Sequence, residues 1–128
     1  MSDIDKAVEN DNVSYLQQVI PSEYENRPEV IEEIFEPAIQ SKSFNVVDYL
    51  IEFALSVNDI TALHSFILDC LKNSKVELAT NIVNKGNIDP HGFTECGFKK
   101  QKFNQLLIEE FGCAFAIRNG KFVLIKMV

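Results

Sequence analysis

AIQSKSFNVVDYLIEF, residues 38–53, reads as the last turn of one helix, a polar break at Lys42 and Ser43, and an apolar second helix. Whether this helical hairpin stands alone or recurs decides the fold. Two other stretches lie under it at offsets of 31 and 32 residues: AVENDNVSYLQQVI from Ala7 and CLKNSKVELATNIV from Cys70. A small residue opens each copy (Ala7, Ala38, Cys70), and five apolar columns follow. They are Val13, Phe44 and Val76; Tyr15, Val46 and Leu78; Leu16, Val47 and Ala79; Val19, Leu50 and Ile82; Ile20, Ile51 and Val83. The break between the two helices is polar each time. Ile31, Ile34 and Phe35 also fall over Leu63, Phe66 and Ile67, so the preceding helices match as well.

A single helical hairpin cannot bury its own apolar face, and stacking copies into a continuous core gives such a period its physical sense. Copies two and three read as full hairpins, whereas copy one lacks most of its first helix. Helix limits agree. Pro28 suits a first turn with Glu29, Glu32 and Glu33 near the positive end of the helix dipole, Asn58 or Asp59 can cap the next first helix, and Gly86 marks a stop.

The second-helix stretches resemble ankyrin repeats, in a degenerate form. VELATNIVNKGNIDPHGFTE, beginning at Val76, carries the resemblance best, with Gly86, Asp89, Gly92 and Thr94 at the family's turn positions. The likeness spans residues 5–95, and no T-P-L-H tetrapeptide is present. It implies a short viral or host-interacting protein that binds rather than catalyses, in the cytoplasm or inside a host cell.

Beyond Thr94 the pattern changes. Residues 98–112, FKKQKFNQLLIEEFG, form an amphipathic helix closed by Gly112, and CAFAIR and KFVLIKMV flank Asn119-Gly120, a strong hairpin-turn signal. The expected class is therefore mostly α: stacked helical hairpins in an ankyrin-like array over residues 1–95, then a helix and β-hairpin cap over 96–128, in one continuous domain. Both faces of the second strand are apolar, so the ribbon packs on the third repeat or supplies the edge of a homodimer.

The chain has 128 residues, 46% of them apolar, which suits an ordinary core. No apolar run of membrane-spanning length occurs, so a soluble intracellular protein with no membrane partner is expected. Three cysteines with no C-x-x-C pair argue against a disulfide framework. Charge is divided: residues 1–84 hold fifteen acids against five bases, a balance of −10, and residues 85–128 hold seven bases against four acids, +3.

Motifs for chemistry are missing. There is no phosphate loop, dinucleotide fingerprint or nucleophile elbow. His91, Cys96 and Cys113 lack paired metal-ligand spacing. No enzyme, cofactor or metal is expected. Glu29, Glu32, Glu33 and Glu36 stand at i, i+3, i+4 and i+7, so their carboxylates share one helical face. A solvated stripe explains that spacing, and so does a docking surface for a protein partner. The second reading takes in His64, expected to be partly exposed on its own helix. The alternative function is nucleic-acid binding by a winged-helix-like tail, with Lys99, Lys100 and Lys102 opening a recognition helix and Arg118 and Lys121 on the wing. Acidic mimicry of DNA is a third.

Overall fold

The computed structural model describes residues 2–86, 109, 112–119 and 121–126. Its body is six helices: α1 (Asp3–Glu9), α2 (Val13–Asn26), α3 (Val30–Gln40), α4 (Phe44–Ser56), α5 (Ile60–Lys72) and α6 (Val76–Lys85). They pair as α1 with α2, α3 with α4 and α5 with α6. The first helices α1, α3 and α5 lie side by side in one layer, and α2 meets α4 in the other. At seven residues, α1 is the shortened first helix that the repeat pattern requires.

The core lies between the layers and follows the sequence columns. Leu16, Val47 and Ala79 are wholly buried, as are Ile20 and Val83. Between hairpins two and three, the Phe35 and Phe66 rings stack at 3.9 Å with planes 10° apart. Both are fully enclosed, which at about 3–5 kcal/mol for truncation to alanine makes them the largest anchors of the α3–α5 contact.

Four of the five connections use the same three-residue turn. Asp11, Lys42, Asn58 and Ser74 take left-handed backbone conformations, with φ between 53° and 59°. The next residue's N–H then bonds back five positions, Asn12 to Ala7 O at 2.8 Å, Ser43 to Ala38 O at 2.9 Å, Asp59 to Ala54 O at 2.9 Å and Lys75 to Cys70 O at 2.8 Å. The left-handed residue's own N–H bonds back three. These are Schellman caps closing each helix without a glycine. The column Ala7, Ala38 and Cys70 thus has a second meaning: it supplies the carbonyl that receives the closing bond. Ala54 plays the same part between hairpins.

The residue after each left-handed position is the N-cap of the following helix, and at two of the four its side chain makes the capping bond. Asn12 Oδ1 accepts from Tyr15 N at 3.2 Å, and Asp59 Oδ1 from Ala62 N at 3.0 Å. At the Lys42 turn the job crosses between hairpins: Ser43 Oγ donates to Val8 O, and Asp11 Oδ1 accepts from Val46 N at 2.9 Å. Further ties join hairpins two and three, where Lys85 Nζ meets Glu52 Oε1 at 3.1 Å and Lys75 Nζ sits 5.3 Å above the Phe44 ring.

The expected fold class needs correcting. The body is all-α, with no strand between α1 and α6, and among the described residues the buried core comes from the helices. Among the described residues, the array ending in a helix and β-hairpin is therefore replaced by a six-helix body. Connections 27–29 and 57–59 are three residues each and project no β-finger. Backbone segments β1 (Cys113–Arg118) and β2 (Lys121–Lys126) pair antiparallel, Phe115 opposite Leu124, and β2 runs against α6 of the third hairpin. A two-stranded ribbon carries too little buried surface to define a class. The expected helix at 98–112 lies outside the described residues except for Glu109 and Gly112, as does the domain boundary at 95.

Candidate functional site

Helix α3 buries Val30, Ile31, Ile34, Phe35, Ala38 and Ile39, which leaves its glutamates on the other side. The four do not remain one stripe. Glu29 stands exposed at the helix N-terminus, and Glu33 is exposed and held by Arg27, Nη1 to Oε1 at 2.6 Å. Glu32 and Glu36 are half-buried and turn towards α5.

Along that α3–α5 seam the carboxylates gather. Glu36 Oε2 accepts from Asn73 Nδ2 at 2.9 Å, and the same amide reaches Asp69 O at 2.8 Å. Ser65 hydrogen-bonds to Glu32, whose carboxyl is nonetheless pushed up by burial and by Asp59 nearby. Asp59 is already engaged, capping α5 and accepting from the Tyr24 hydroxyl at 2.7 Å. Burial and that bond push Tyr24 up to about 12.

Asp69 is the unexpected member. It is 9% exposed, and burial, reinforced by Glu36, pushes its carboxyl up to about 6. Lys72, exposed one turn on, acts in the opposite direction but is not within 4 Å. Among the described residues no ion pair reaches Asp69, Glu36 or Glu32. The stretch FILDCLK hides Asp69 in an apolar run, and the signal that could have found it is a carboxylate set directly between apolar neighbours, Leu68 and Cys70.

His64 also departs from expectation. It is fully enclosed rather than partly exposed, because α5 packs against α3, α4 and α6 and so has three buried flanks. Burial lowers it to about 4, which leaves it neutral at pH 7 and out of reach of a partner's surface. Cys70 is buried too, its thiol pushed up to about 12, and makes no nucleophile.

Of the tail residues proposed for nucleic acid, Lys99, Lys100 and Lys102 lie outside the described residues, as do His91 and Cys96. Arg118 and Lys121 face each other in the β1–β2 register, on either side of Asn119. A second acidic surface, a cleft of about 600 Å³ between α2 and α4, is lined by Asp11, Gln17, Asp48, Tyr49 and Glu52 among others. Among the described residues no group of three histidines, cysteines or carboxylates is placed to hold a metal ion, and no helix is long and apolar enough to cross a membrane. No protein-family model matches the chain, and neither a curated protein nor a solved structure matches it.

Proposed function

We propose that the chain is a non-enzymatic protein-binding module, an inhibitor or adaptor, that docks a basic segment of a protein partner on the α3–α5 seam. The observation that carries this reading is Asp69, nearly buried beside Glu36 and Glu32 with no ion-paired cation among the described residues. Like charges gathered in a partly desolvated place oppose folding. A cationic partner would relieve them. The balance of −10 over residues 1–84 adds a field that draws basic surfaces in and repels polyanions such as nucleic acid. The likeness to ankyrin repeats stated from residues 5–95 is of the same tenor, since such arrays bind through helical faces.

Glu32→Lys with Glu36→Lys tests it. Affinity capture from cells that express the chain, followed by mass spectrometry, should lose the basic partner. Thermal stability should hold or rise, because both positions lie among carboxylates. Equal recovery of the same partners by the double variant would remove the seam as the docking site.

A further inference from the structure

The seam holds a nearly buried carboxylate as well as a sign. Asp69 is 9% exposed, and among the described residues no hydrogen bond or ion pair reaches its carboxylate, while Glu36 alongside has one oxygen taken by Asn73 Nδ2. Glu32, one turn back from Glu36 on α3, is half-buried next to Ser65. Two helices thus bring a nearly buried carboxylate and two half-buried ones together along one seam. Resting on the docking reading above, we infer that one arginine side chain of the partner enters the seam, its guanidinium bridging the Asp69 and Glu36 carboxylates.

The choice of occupant follows from the donors each candidate can offer. A metal ion needs three or more ligands converging on one point, and among the described residues no such group exists. A guanidinium has five N–H donors in a planar fork, so it can bond carboxylates on two different helices at once. It is also weakly hydrated, which lowers the penalty of bringing it to a site as enclosed as Asp69's. A lysine ammonium is a compact, strongly hydrated point charge and satisfies one carboxylate at a time. The chain's own Lys72 illustrates the point: it lies one turn from Asp69 and does not close on it. With Lys72 counted against Asp69, Glu36 and Glu32, the seam keeps an excess of negative charge.

The test uses the full chain with carbon-13-labelled carboxyl groups, titrated with acid by NMR in the presence of acetylarginine amide. Acetyllysine amide and sodium chloride at equal ionic strength serve as comparisons. The Asp69 midpoint should fall by about one unit with the arginine probe and by clearly less with the other two. Glu36→Gln, which keeps the shape of the seam and removes one side of the bridge, should shrink that fall. An Asp69 midpoint that moves equally with all three, or not at all, overturns the arginine inference.

Failure here and failure of the docking reading are separable. If the midpoint responds as expected but the Glu32→Lys, Glu36→Lys protein still captures its partner, the arginine pocket stands and docking lies elsewhere. If the midpoint is indifferent and the double variant loses its partner, docking on the seam stands and the bridging arginine is wrong.

Discussion

Asparagine at position 69 removes a charge while keeping the size of a side chain that is 9% exposed beside Glu36 and Glu32. The carboxyl is raised from 3.8 to about 6, and at about 1.36 kcal/mol per unit the ionised form opposes folding at pH 7 by roughly 3 kcal/mol. Asparagine's amide carries its own desolvation, so Asp69→Asn should stabilise by about 1–3 kcal/mol rather than the full amount. The melting temperature should rise by about 4–11 °C in a domain of this size. The sign of the pH dependence is the sharper check. Because the folded carboxyl holds its proton more tightly than the unfolded one, the stability it contributes is complete below about 3.8 and is lost as pH rises through about 6. The variant's advantage should therefore be largest at pH 7 and smaller by about 1.4 kcal/mol at pH 5. Urea unfolding of both proteins at the two pH values measures it. An advantage equal at both, or a variant less stable than wild type at pH 7, would refute the buried ionised Asp69 on which the seam argument depends.

His64 works in the other direction. Its folded value is lowered from 6.5 to about 4, so the stability of the neutral form is present above about 6.5 and lost as pH falls towards 4. Wild-type stability should vary little between pH 6 and 5, whereas Asp69→Asn should expose the His64 loss as a steady fall in urea midpoint. Asp11→Ala removes the acceptor of Val46 N and the partner of Asn45 Nδ2, and should cost about 1–2 kcal/mol, with faster hydrogen exchange at the Val46 amide. Lys42→Gly relieves a left-handed residue at φ 59° and should raise stability by about 0.5–1 kcal/mol in thermal melts. The Glu32→Lys, Glu36→Lys pair should lose its basic partner in capture experiments without losing its melting temperature.

The helical body was legible because its information is local and periodic. Leu16, Val47 and Ala79 recur at fixed intervals, and their columns mark the buried face whichever helix packs on it. The turns were legible as polar breaks but not as Schellman caps, since Asp11, Lys42, Asn58 and Ser74 adopt positive φ without the glycine that usually announces it. The tail was legible only in part. Asn119-Gly120 and its flanking apolar runs are a strong short-range signal, and β1 and β2 do pair in antiparallel register, but a turn signal says nothing about the class of the body, which is all-α from α1 to α6.

Half of the candidate site was legible. Glu32 and Glu36 announce themselves by spacing on one helix. Asp69 lies 33 and 37 residues further on and meets them only when α5 settles against α3, a contact no single-helix pattern contains. His64 was misjudged because amphipathic spacing predicts one buried flank, whereas α5 has three.

The shared three-residue turn also bears on how a partner would be met. With connections this short, the described helices carry no long loop that could reach out, fold over a ligand or change shape around it. Any surface the body offers is already set in the free protein, so little conformational freedom is lost at the encounter. Association should then follow single-exponential kinetics with no slow rearrangement, at a rate governed by electrostatic attraction that falls steeply as salt is added. Variation between related partners would be written in the helix-face side chains, because the backbone has nowhere else to vary.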